Sequence, residues 1–314
     1  MGKMTWCALI LSAIVSVAFV ARANDRAAYP KIVAHAGGGD LTMPPASRAA
    51  YSNAVASAND IVKLDLQRTR DGVVVMGHDP TLDRVMGWKA AISDFTHAEI
   101  LERGTFLPGG GFDREKIVTL DEALSIVRTV PEFWIDFKHF DPAFAEKVVE
   151  TFDRHGIGHE RIMVATFTFE ALDYFKTRHP EIRRVAHVEI RPQPDGTWFA
   201  NTTGERYPDR RSAVRSALLC RDRYGLFGVN MPTLAGETTP EDVAWLRRAG
   251  LWVSVWFVQD ARTAAIYRDS GADAYVSDFI SQCRKGLDVP ARTGFTSANA
   301  GLIHSEERKG VRND

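Results

Sequence analysis

The sequence lacks the features that would mark a nucleic-acid binder or a membrane-spanning protein. Its 314 residues carry 39 Lys and Arg against 40 Asp and Glu, so there is no basic surplus to hold a polyanion and no acidic tail. Long apolar runs are missing too. Only Ala8 to Val20 stands out, and it falls short of the about 20 residues that a stable membrane helix needs. That run follows Lys3 and precedes Ala21-Arg22-Ala23, so it reads as an export signal with an A-x-A cleavage point. The expected mature chain starts at Asn24, carries no stable membrane span and is exported, to the periplasm or outside the cell. Cysteine is scarce, with three in all. Cys7 leaves with the signal. Cys220 and Cys283 remain, either as a disulfide suited to an exported protein or as two buried thiols.

What remains is ordinary for a globular enzyme: 45% apolar and 25% charged residues, enough for a sizeable core. From Lys31 onward, short apolar runs alternate with helical patterns. The runs begin near residues 31, 61, 133, 161, 184, 226, 251 and 274. Val73 to His78 is set aside as a hairpin return after the turn Arg70-Asp71-Gly72. Strand and helix in alternation mean a parallel sheet, and eight such units predict an α/β fold of the (β/α)8 TIM-barrel type. The expected organisation is a signal peptide over 1–23, a barrel domain over 24–284 and a poorly ordered tail over 285–314. Helix starts are marked by Thr119 with Glu122, by Asp141-Pro142, by Thr239-Pro240 and by Asp260. Residues 85–117 and 191–208 read as irregular excursions, the first with a short helix near Thr96–Arg103, and Arg184 to Ile190 reads as one strand.

The chemistry gathers where barrel enzymes place it, at the C-terminal ends of strands: His35, Asp65, Lys138, Glu189, Asn230 and Trp256. Between Ile61 and Arg84, period-two alternation puts Lys63 and Asp65 on one strand face, and the hairpin return brings His78-Asp79 near them. A cation, an anion and an imidazole in one small volume are the ingredients of acid-base work on an anionic substrate. Against this stands the plainer reading of a solvated charged face with a histidine capping a turn. The strand-end clustering favours the site. Gly37-Gly38-Gly39 allows close backbone approach to a ligand. His187 and Glu189 read as a satisfied core pair. His97, His139, His155, His159 and His179 fall in loops or at helix ends and carry no claim.

These motifs, in this order, resemble the glycerophosphodiester phosphodiesterase family, within the phosphodiesterase barrels that include phosphatidylinositol-specific phospholipase C. His35-Ala36-Gly37 is similar to its opening His-Arg-Gly. Asp65 and Asp71-Gly72 through His78-Asp79 resemble its second motif. Thr119-Leu120-Asp121-Glu122, Asp136-Phe137-Lys138, Trp256-Phe257-Val258-Gln259-Asp260 and Gly271-Ala272-Asp273 through Ser277-Asp278 resemble later ones. The resemblance implies that His35 and His78 exchange protons with the attacking hydroxyl and the leaving alcohol. It implies Lys138 as the basic partner of the phosphoryl group; Gly37 and Asp79 from their motifs, and Asn230 and Trp256 from their strand-end positions, are expected around the substrate. Asp65 and Asp136 stand where the family holds its divalent cation, calcium or magnesium. The chain departs from the family at Ala36, at Pro44-Pro45-Ala46, and above all at Lys63, where the family carries a metal-binding Glu. Two expectations follow: an enzyme with no metal, in which the Lys63 ammonium replaces the cation, or a weakly bound cation on Asp65 and Asp136 helped by Asp40 or Glu189. The expected substrate is a small phosphodiester. A lipid phosphodiesterase of the phospholipase C or D kind, and a barrel that binds without cleaving, are the alternatives.

Overall fold

The computed structural model describes residues 29–38, 42–104, 115–233 and 237–287. The expected signal segment, Asp40, the Gly109-Gly110-Gly111 stretch and the tail from residue 288 lie outside the described residues. In chain order the strands are β1 (Lys31–Ala34), β2 (Ile61–Arg68), β3 (Val74–Met76), β4 (Thr81–Leu82), β5 (Trp88–Ala91), β6 (Glu132–Phe137), β7 (Ile162–Thr166), β8 (Arg183–His187), β9 (Ile190–Pro192), β10 (Trp198–Ala200), β11 (Glu205–Tyr207), β12 (Gly228–Pro232), β13 (Trp252–Trp256) and β14 (Ala274–Ser277).

Eight of them, β1, β2, β6, β7, β8, β12, β13 and β14, pair in parallel, and β1 returns to β2 to close a barrel. All eight expected runs are strands of it. β3 runs back antiparallel along β2, with Leu66 opposite Met76, which is the expected hairpin return. The alternation in β2 and β6 has a direct structural meaning. Leu64 and Leu66 pack outward with Phe133, Ile135 and Phe137 against the helices. Val33, Ile61, Trp134, Met163, Val185 and Val276 form a separate apolar plug in the barrel interior. Lys63 and Asp65 share the face of Ile61, and Asp136 shares that of Trp134, so these charges lie above the plug.

The helix starts follow the predicted caps. Thr119 accepts from the Glu122 amide at 3.2 Å, while the Glu122 carboxylate accepts from the Thr119 amide at 2.9 Å. Replacing Thr119 by alanine removes one half of that exchange and is expected to cost about 1 kcal/mol of stability, measured as a lower denaturation midpoint at unchanged m-value. Asp141, Thr239 and Asp260 cap the helices Pro142–Arg154, Pro240–Arg248 and Ala261–Asp269.

Several expectations are corrected. Within residues 85–117 the expected short helix is present as His97–Arg103, capped by Thr96, but Trp88–Ala91 is a strand, β5, that pairs back with β4 just before the excursion. The 191–208 excursion is a three-stranded antiparallel sheet, β9 to β11. The expected strand 184–190 stops at His187, because Ile190 leaves the barrel to join that small sheet. The barrel's last helix is Ile280–Gly286. Cys220 and Cys283 do not pair. Each is buried, with its thiol donating to a backbone carbonyl, of Thr202 at 2.8 Å and of Val258 at 3.0 Å. Among the described residues, no helix is long and apolar enough to cross a membrane.

Candidate active site

The polar layer at the C-terminal end of the barrel is built from four interleaved charges. β2 and β6 are in register with Asp65 opposite Asp136, so the two carboxylates lie side by side. Lys63 rises from the same face of β2 and contacts Asp65 Oδ1 and, at 2.9 Å, Asp136 Oδ2. Lys138, just beyond β6, reaches the same two oxygens at 2.9 and 2.8 Å. Lys63, Asp65 and Asp136 are almost wholly buried. Burial alone would raise both carboxyl groups, but the two ammonium groups hold Asp65 and Asp136 far below the ordinary carboxylate range. Lys138, which burial would deprotonate, is instead driven well up by the same two carboxylates. Asp65, Asp136 and Lys138 are therefore charged at neutral pH.

Two histidines stand over this layer, their ring centroids 4.8 Å apart. His35 ends β1 and turns through Ala36, Gly37 and Gly38, all at positive φ. Its Nδ1 lies 2.8 Å from Asp278 Oδ1, just past β14. Gln259 donates to the other oxygen of Asp278 at 2.9 Å. Burial lowers the His35 pKa, against the opposing pull of Asp278. His78 is carried by the turn after β3, which Gln67 pins by donating to the Gly77 carbonyl at 3.0 Å and to the Asp79 carbonyl. Its Nδ1 lies 2.8 Å from Asp79 Oδ1, and Arg84 holds the other oxygen of Asp79. With both Nδ1 atoms engaged by carboxylates, each ring has Nε2 left for a reacting group.

The remaining predicted residues divide. Asp79, expected beside the substrate, is engaged by His78 and Arg84. Gly37 supports the turn: a Cβ there would lie 2.9 Å from Ala50 Cβ, at a φ of +92°. Asn230 donates to His187 Nδ1 at 2.8 Å and accepts from Ser254 at 2.8 Å. This corrects the expected pairing of His187 with Glu189, which sits beyond β8 and contacts Arg191. The His187 ring is buried over Trp134, with Nε2 3.7 Å from Asp136. Trp256 forms one side of the mouth with Phe257, whose ring is 4.8 Å from that of His35, and with Phe167, which is 42% exposed. Asp278 and Gln259 are functional residues that the sequence patterns leave without a role. Asp278 and Gln259 lay inside matched motifs, and their strand-end positions were the available signal.

The donor set does not fit a divalent cation. Calcium and magnesium need carboxylate oxygens turned toward the ion. Here the two carboxylates each face two ammonium groups, and Asp65 Oδ2 is the buried carboxylate oxygen of the pair that lacks a partner. Glu189 is turned to Arg191. A group that can hold a metal, His159, His179 and Glu181, lies at the opposite end of the barrel.

The chain is similar to known phosphodiesterases. Residues 37–282 match the model of the glycerophosphoryl diester phosphodiesterase family. A glycerophosphodiester phosphodiesterase of Bacillus altitudinis is 30% identical over 52% of this chain and 69% of its own. One of Caldanaerobacter subterraneus subsp. tengcongensis is 28% identical over 48% of this chain and 64% of its own. The chain thus spans about two thirds of the length of these relatives. An Oleispira antarctica phosphodiesterase, solved with the product sn-glycerol-3-phosphate, superposes with a TM-score of 0.67 at 20% identity, covering 83% of this chain and 97% of that one.

Proposed function

Since the chain belongs to the glycerophosphoryl diester phosphodiesterase family, we propose that it cleaves a glycerophosphodiester to an alcohol and a phosphomonoester or cyclic phosphate, without a metal ion. The observation that carries this reading is the pair of histidines over the Lys63–Lys138 pair, of which Lys63 is buried. A divalent cation is common in the family, but the residues here do not accommodate one, and the ammonium groups supply the positive charge.

His35 is the base. Its lowered pKa keeps it neutral near pH 7, so Nε2 can take the proton from the attacking hydroxyl, whether the substrate's own or water's. One P–O bond forms and the bond to the leaving alcohol breaks. His78 gives that alcohol its proton. Asp278 and Asp79 hold the two rings by Nδ1, fixing which nitrogen reacts. Lys63 and Lys138 offset charge gathering on the phosphoryl oxygens, and their place in a rigid strand layer means no reorganisation during the reaction. When the attacking hydroxyl is the substrate's own, the step gains the proximity advantage of an intramolecular reaction. The aromatic side formed by Phe167, Trp256 and Phe257 offers an apolar face to the alcohol part of the substrate.

The test is phosphodiesterase activity on a panel of glycerophosphodiesters, with EDTA and then with added calcium or magnesium. Turnover that survives EDTA is expected. Turnover only with added metal would overturn metal independence and leave the family activity. Binding of the diesters with no turnover in either condition would favour a barrel that binds without cleaving.

A further inference from the structure

We propose that His159, His179 and Glu181 form a binding site for a zinc-class divalent cation, at the end of the barrel away from the histidine pair. His159 lies just before β7, and His179 and Glu181 lie just before β8, so all three sit at the N-terminal ends of strands. Their ligand atoms all fall within 4.8 Å of one another. Glu181 Oε1 is 2.8 Å from His159 Nδ1 and 3.8 Å from His179 Nδ1. A tetrahedral ion with bonds of about 2.0–2.1 Å sets its ligand atoms roughly 3.4 Å apart. The two observed distances straddle that value, so small rotations of the side chains would seat an ion.

The surroundings are what point to a metal rather than a chance cluster. The far nitrogen of each ring is held by its own carboxylate. His159 Nε2 lies 2.9 Å from Asp153 Oδ1, and His179 Nε2 lies 3.2 Å from Glu146 Oε1. Glu146 and Asp153 are seven residues apart on the helix Pro142–Arg154, hence on one face two turns apart. The Tyr174 hydroxyl donates to Glu146 as well. This is the outer arrangement that orients metal-binding imidazoles: Nε2–H is given to a carboxylate and Nδ1 is left as the ligand. In that tautomer both Nδ1 lone pairs look toward the Glu181 carboxylate, a contact that needs a cation between. A metal would fill that role for both rings at once. Two imidazoles and one carboxylate suit zinc rather than calcium or magnesium. Bound there, the ion would tie the chain entering β7 to the chain entering β8. This inference stands apart from the proposed reaction.

The test uses the full chain, stripped with EDTA and titrated with zinc chloride by calorimetry and by thermal melting. One ion per chain and a melting temperature raised by several degrees are expected. Both effects should vanish in the His159→Ala/His179→Ala double variant. Glu181→Gln, a milder change, should weaken binding at least tenfold with an unaltered circular dichroism spectrum. Affinity should fall at pH 6, since the ion competes with protons for the imidazoles. No binding by the folded wild type, equal binding by the double variant, or affinity unchanged at pH 6 would each overturn the assignment.

Discussion

Replacing Lys63 by methionine is expected to lower turnover by about 10²–10³, the scale set by losing one preorganised charge donor at a reacting centre. The same change should destabilise the fold by about 3–5 kcal/mol, because it leaves Asp65 and Asp136 buried with one ammonium between them. The two effects separate experimentally. Denaturant melts report the second. Turnover measured well below the melting temperature reports the first. A methionine variant that melts early but turns over at the wild-type rate would mean that Lys63 only neutralises the carboxylates. Lys63→Glu sharpens the test. It would set three carboxylates in one layer with Lys138, a donor set that a divalent cation accepts. Activity that is low in this variant and rises with added calcium or magnesium, while the wild type ignores both ions, is the expected pattern.

His35→Ala should reduce turnover by about 10²–10⁴, the usual range for removing a general base. The pH profile then identifies its role. A base must be unprotonated to act, and burial holds the His35 pKa below the ordinary histidine value of 6.5. The rate should therefore persist as pH falls below 6.5 and drop once His35 gains its proton. Asp278 pulls the His35 pKa upward, so Asp278→Asn should move this acid limb to still lower pH while lowering the plateau. A variant that lowers the rate equally at every pH, with the limb in place, would show that Asp278 does no more than support the fold.

The sequence showed the barrel because its signals are local. Period-two alternation in β2, the caps at Thr119, Asp141, Thr239 and Asp260, and the turn at Arg70-Asp71-Gly72 each involve residues a few positions apart. It also brought Lys63, Asp65, Asp136 and Lys138 together beneath His35 and His78, since strand ends are read from the same patterns. What it could not show depends on pairing across the chain. Asp278 reaches His35 from 243 positions away, and Asn230 reaches His187 from 43. Glu189 looked like a partner of His187 because the two fall two positions apart. The strand ends between them, and that breaks the periodicity the pairing assumed. The three-stranded sheet at 190–207 was hidden by its prolines and polar residues, which tolerate short edge strands as well as loops.

The barrel closes unevenly. β2 and β6 remain in register from Ile61 opposite Glu132 to Leu66 opposite Phe137, whereas β1 meets β2 only through Val33 opposite Ile61 and Ala34 opposite Val62. A hoop fastened at one short seam breathes there first, since opening it breaks the fewest ladder bonds. That seam divides the machinery: His35 follows β1, while Lys63 and Asp65 belong to β2. An opening there would separate the imidazole from the charged layer. A phosphodiester held between them would act as a clasp across the seam, and its expected result is slower exchange of the β1 amides with solvent.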